Sequence, residues 1–165
     1  MEPPTDHQTV LIRVTGPDHS GVTAGLMSVL TDAEATVEDI EQIVIRGQLT
    51  LGVAVLVPEG RDLLRAVLLW GWDQGIEVDF DVVSSTPTPK VRGHVVTVLG
   101  PELTPTEIGA ATTAIADAGA NIDRIVRLSR YPVMSYEMLV RDGDDEKYTE
   151  ASCRAVIAQV LGAVS

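Results

Sequence analysis

The chain has 165 residues, 45% of them hydrophobic, which allows one or two small folded domains and excludes a disordered chain. Twelve Lys and Arg against 24 Asp and Glu leave a formal net charge of −12, a field that repels nucleic-acid phosphates and anionic membranes. The opening MEPPTDHQ has neither the basic stretch nor the apolar core of a signal peptide, and no apolar run is long enough to cross a bilayer, so a cytoplasmic location is expected.

Val10, Ile12 and Val14 alternate with Leu11, Arg13 and Thr15, which predicts a strand with one buried face. Gly16-Pro17-Asp18-His19-Ser20-Gly21-Val22 follows. Its two glycines nearly trace a phosphate-binding P-loop, G-x-x-x-x-G-K-[ST], but Val22 stands where the lysine belongs. Val22, Leu26, Val29 and Ala33 then form the stripe of a helix, with Ser20 placed to cap it. Val37–Arg46 and Leu49–Val57 read as strands joined by a two-residue turn, Gly47-Gln48. Leu63, Val67 and Trp70 predict a second helix ended by Gly75, and Ile76, Val78, Phe80 and Val82 alternate as a fourth strand. The order β-α-β-β-α-β is ferredoxin-like and belongs to the α+β class.

SSTPTPKV (Ser84–Val91) is rich in Ser, Thr and Pro, and after it the pattern starts again. Gly16 and Gly100 lie 84 positions apart, and Ile40 and Ile125 lie 85 apart. Val95–Leu99 predicts a strand. Thr104-Pro105-Thr106-Glu107 predicts a capping box with proline in the first turn, opening a helix with Ile108, Ala111, Ile115 and Ala118 inward. Ile122–Arg130 and Val133–Val140 form the strand pair, and Glu146–Leu161 the last helix. The expected organisation is a first domain over residues 8–84, a linker over 85–91 and a second domain over 92–165. The second has no room for its fourth strand, which suggests a piece of a longer protein.

Two such units, each with a loop after its first strand, resemble tandem ACT domains, the small-molecule sensor modules of amino-acid metabolism. GPDHSGVTAGLMSVL resembles that family's glycine-bearing loop and helix, and DAGANIDRI (Asp117–Ile125) its turn into the second strand. VTGPDHSGVTAGLMSVL, VEDIEQIVIRGQLTLGV and GANIDRIVRLSRYPVMSYEM further resemble the amino-terminal half of actinobacterial phosphoserine phosphatases. That resemblance implies a regulatory region that binds an amino acid, L-serine above all, and forms a homodimer. It places the Mg²⁺-dependent, haloacid-dehalogenase-type catalytic domain beyond Ser165, so no cofactor and no catalytic residue is expected in this chain.

Asp79-Phe80-Asp81-Val82-Val83 matches the D-x-D-x-[TV] nucleophile motif of the same phosphatases, with Lys90 and Gly143-Asp144-Asp145 following in order. Such carboxylates with Mg²⁺ and lysine would suit phosphoryl transfer. However, Glu77, Asp79 and Asp81 alternate with apolar residues, which predicts a solvated outer face instead. Gly143–Glu146 reads as the acidic start of a helix. His7, His19 and His94 lack metal-ligand spacing, and the lone Cys153 reads as a small core residue beside Ile157 and Val160. Arg124, Arg127, Arg130 and Arg141 read as an exposed strand face, and Trp70 and Trp72 as cover for the core or a subunit contact.

In the first loop, the helix start offers backbone N–H groups to an anion at Gly21 and Val22, and Asp18 offers a carboxylate to an ammonium group. Asp18, His19, Ser20, Gly21 and Val22 therefore make one expected wall of an amino-acid site. In ACT dimers the other wall comes from the turn into the second strand of a neighbouring module. Here the matching residues are Glu38 and Asp39 in the first copy, and Asn121, Ile122 and Asp123 in the second. The second loop has Thr104 and Pro105 in place of Gly21, and proline removes a donor, so the first loop is the expected ligand donor. A stand-alone tandem-ACT regulator acting through protein contacts is the alternative.

Overall fold

A computed structural model of the chain describes residues 8–58, 62–83 and 93–141. The chain divides into two compact units, Met1–Pro87 and Thr88–Ser165. The first contains β1 (Gln8–Pro17), α1 (Val22–Asp32), β2 (Thr36–Ile45), β3 (Gln48–Val57), α2 (Leu63–Gln74) and β4 (Glu77–Val83). Its antiparallel sheet runs β2-β3-β1-β4, the ferredoxin-like order. The second unit contains β5 (Gly93–Gly100), α3 (Pro105–Asp117), β6 (Asn121–Ser129) and β7 (Met134–Arg141), with sheet order β5-β7-β6. The second sheet therefore repeats three of the four strands, and among the described residues nothing pairs with the outer edge of β5.

In the first unit the alternating residues of β1 (Val10, Ile12, Val14) and β3 (Leu49, Leu51, Val53, Val55) line one face of the sheet. Val22, Leu26 and Leu30 of α1 and Leu63 and Val67 of α2 close over that face. Each such side chain contributes roughly 1.5–3 kcal/mol when fully buried. In the second unit Val96 and Val98 of β5, Met138 and Val140 of β7, and Ala111 and Ile115 of α3 do the same, with Leu103 tucked beneath the loop.

Two local expectations are corrected. The hairpin turn is Arg46-Gly47, not Gly47-Gln48: Ile45 pairs with Gln48, and both turn residues have positive φ, 54° and 77°. That is the twist a two-residue turn needs between right-twisted strands. Ser20 does not cap α1. Gly21 holds the cap position in a left-handed conformation (φ 96°), with no side-chain cap hydrogen bond. Gly75 ends α2 in the left-handed region, as the sequence indicates. The expected 85–91 linker, Lys90, Gly143–Glu146, the Glu146–Leu161 helix, Cys153 and His7 lie outside the described residues.

Candidate functional site

The β1–α1 loop is pinned at one point, where the Asp18 N–H donates to the Gly47 carbonyl at 2.8 Å and ties the loop to the β2–β3 turn. Asp18, His19, Ser20 and Gly21 are exposed. The Val22 side chain is buried in the core, so Val22 can offer a ligand only its backbone N–H. The Gly21 carbonyl accepts from the Gly25 N–H at 2.8 Å, the first bond of the helix. The N–H groups of the turn between them have no side chain on them, and such a helix end carries a partial positive charge. The Asp18 carboxylate makes no hydrogen bond or ion pair among the described residues. Behind the loop, the Thr23 hydroxyl donates to Gln42 Oε1 at 2.5 Å, fixing the start of α1 against β2.

The corresponding helix start in the second unit is filled from within. Thr104 Oγ1 accepts from the Glu107 N–H at 3.4 Å, while Glu107 Oε2 accepts from the Thr104 N–H at 2.7 Å and from its hydroxyl at 2.8 Å. These bonds, the backbone N–H first and the hydroxyl second, hold the Glu107 carboxyl below its ordinary pKa. A carboxylate of the chain itself thus sits where the first loop has open donors.

The second group of expected residues divides by position. Glu38 and Asp39 lie at the start of β2, where Thr9 Oγ1 donates to Glu38 Oε2 at 3.0 Å. The loop lies toward the other end of β2: Asp18 meets the turn at Gly47, and Thr23 meets Gln42, three residues or about 10 Å on from Asp39 at about 3.3 Å per residue. Glu38 and Asp39 therefore do not join the loop of their own unit. In the second unit Asn121, Ile122 and Asp123 stand together at the start of β6. Asn121 Nδ2 donates to Asp123 Oδ1 at 3.2 Å, and Arg141 pairs with the same oxygen at 3.2 Å. The Ile122 side chain packs against the second core, which leaves its backbone for any contact.

Both second strands share a feature the sequence does not announce. Pairing shifts register between Val37 and Asp39 and again between Ile122 and Arg124, so Glu38 and Asp123 are equivalent bulged residues. A bulge turns a side chain out of the regular alternation and is common beside functional sites. The turn before each strand repeats as well. Glu34 (φ 55°) and Gly119 (φ 77°) both take the left-handed conformation after their helices, with matching bonds from Ala35 to Leu30 and from Ala120 to Ile115.

Asp79 and Asp81 lie on the outer, solvated face of the first sheet. Arg13 Nη2 reaches Asp79 Oδ2 at 2.7 Å and Asp81 Oδ2 at 2.6 Å. The Arg13 hydrogen bond is the main reason the Asp79 carboxyl lies below its ordinary pKa. These are the contacts of a charged sheet face. Among the described residues no group of three or more His, Cys, Asp or Glu is arranged to hold a metal ion, and no helix is long and apolar enough to cross a membrane.

Two ferredoxin-like modules in tandem, each presenting a helix start just beyond its first strand, define the class of protein. The ACT domain family matches residues 8–81 and again residues 92–164, and the chain belongs to that family. It is 35% identical over 171 aligned residues to the phosphoserine phosphatase of Streptomyces coelicolor, a match covering 96% of this chain and 41% of that protein. It is 37% identical over 142 residues to the phosphoserine phosphatase SerB2 of Mycobacterium tuberculosis, covering 80% of this chain and 34% of that protein. The chain thus spans well under half the length of these relatives. The crystal structure of an unknown protein from Galdieria sulphuraria, 19% identical, superposes with a TM-score of 0.74 over 96% of this chain and 92% of that one, a likeness of fold.

Proposed function

We propose that this chain is the regulatory region of a phosphoserine phosphatase, that it binds a small L-amino acid, L-serine before others, and that it works as a homodimer in the cytoplasm. The observation that carries the reading is the uncapped start of α1 at Gly21, with the exposed Asp18 carboxylate, unpaired among the described residues, three residues before it, in a chain of the ACT family. A zwitterion fits that pair: its carboxylate on the backbone N–H groups and its ammonium on Asp18. In this reading the GANID turn, Gly119–Asp123, of a second copy of the chain would supply the other wall. Phosphate is disfavoured, because the loop has no lysine and the protein carries excess negative charge. Mg²⁺ would serve only the catalytic part of the whole enzyme, outside this chain.

Dimerisation through sheet edges would cover β2, which pairs only with β3 and leaves its other edge open among the described residues. Ligand binding would then favour one arrangement of subunits by its difference in affinity between arrangements. Calorimetric titration with L-serine, glycine and larger amino acids tests the reading. Saturable binding strongest for L-serine, weakened by Gly21→Ala and by Asn121→Ala, is expected. If both substitutions leave serine affinity unchanged, the site is wrong; if no amino acid binds, the reading fails.

A further inference from the structure

The two sides of α2 differ in an unusual way. Leu63, Val67 and Gly71 are buried, on the side that meets α1 and β4. The side away from them is also apolar: Leu64, Leu68, Leu69 and Trp72 are exposed, Trp72 to 85%. Leu64, Leu68 and Trp72 follow one another at four-residue spacing and form a continuous line, with Leu69 flanking it. Contiguous apolar surface of this kind marks an interaction site on a soluble domain.

The charges bordering this line indicate its occupant. Arg65 and Asp73 make no hydrogen bond or ion pair among the described residues. They lie at opposite ends of the line, about 12 Å apart at ~1.5 Å rise per residue, too far to pair with each other. A second α2 laid antiparallel about a two-fold axis near Leu68 and Leu69 removes that separation. It sets Arg65 of each copy against Trp72 and Asp73 of the other, twice, with the leucines between them. A two-fold contact must be self-complementary in this way. Trp and Arg are the side chains that dominate such contacts, and a guanidinium over an indole adds cation–π attraction.

We propose that this face of α2 is a self-association surface whose occupant is α2 of a second copy of the chain. The inference rests on the dimerisation reading above but names a different surface. α2 packs beside β4, and β4 and β2 are opposite edges of the first sheet.

Sedimentation equilibrium of the full chain across a concentration series tests it, with circular dichroism to confirm that each variant is folded. Leu68→Asp and Trp72→Asp are expected to weaken association about tenfold or more, as for residues at an interface centre. Arg65→Asp and Asp73→Arg are each expected to weaken it, and the double exchange Arg65→Asp/Asp73→Arg to restore it. Recovery in the double variant is the signature of antiparallel pairing; single losses without recovery overturn the proposal. Association unchanged in Leu68→Asp and Trp72→Asp overturns the α2 surface and leaves edge pairing standing. A wild-type chain that stays monomeric overturns both.

Discussion

The β1–α1 loop and the β5–α3 loop begin alike, with a strand ending at Gly-Pro and an acidic residue, yet they treat the same physical problem in opposite ways. Every helix start presents unpaired N–H groups and a partial positive charge. In the second unit Thr104 and Glu107 satisfy each other's N–H groups from within the chain, and the Glu107 carboxylate sits at the helix start. In the first unit a left-handed glycine holds the cap position and no side chain follows it in. The repeat gives the chain two helix starts of one design; side-chain chemistry closes one and leaves the other open.

Exchanging those two solutions gives the largest expected effect. Gly21→Thr with Ala24→Glu places Thr and Glu at the spacing of Thr104 and Glu107, and seats a carboxylate of the chain on the first helix start once residue 21 leaves its left-handed conformation (φ 96°) for the extended one that Thr104 holds, with circular dichroism confirming that the variant is folded. Losing a charge-assisted hydrogen bond to the ligand corresponds to roughly ten- to a hundredfold weaker amino-acid binding, read by calorimetry. Unchanged affinity would break the comparison.

The turns into β2 and β6 offer a smaller and reciprocal effect. A side-chain-bearing residue in the left-handed region costs about 1–2 kcal/mol. Glu34→Gly should therefore stabilise the first unit, and Gly119→Glu should destabilise the second by a similar amount, both read from urea unfolding midpoints.

The smallest effect concerns the closed loop alone. Thr104→Ala should cost about 1 kcal/mol, as for a lost helix cap, and leave serine affinity unchanged. The pH dependence follows from Glu107. Its folded pKa is depressed, so its contribution is present above the ordinary value of 4.5 and is lost as the pH falls through the folded value. Glu107→Gln should abolish that acid-side loss, checked by unfolding midpoints measured across the acidic range.

Much of this was legible in the sequence because it is written locally. Alternation in Val10–Thr15 and in Ile76–Val82, the helical stripes, the Thr104–Glu107 box and the 84-residue repeat need only neighbours to be seen. Alternation also placed Asp79 and Asp81 on the outer face, although it gave no hint that Arg13, on another strand, would hold both. The misreadings involve left-handed backbone. Ser20 has the chemistry of a cap, but Gly21 takes the cap position and moves Ser20 one place out of reach. Arg46 carries no compositional sign that it will adopt φ 54°, so the turn was set one residue late. The bulges at Glu38 and Asp123 were silent for a similar reason: an extra residue in one strand shows only against its partner.

The most direct measurement is a titration of the isotope-labelled chain with L-serine, following backbone amide NMR signals at the two helix starts. Gly21, Val22, Thr23 and Ala24 are expected to shift in a saturable way while Thr106, Glu107 and Ile108 stay in place. Shifts centred on Thr106–Ile108, or none at either helix start, would contradict the Gly21 site.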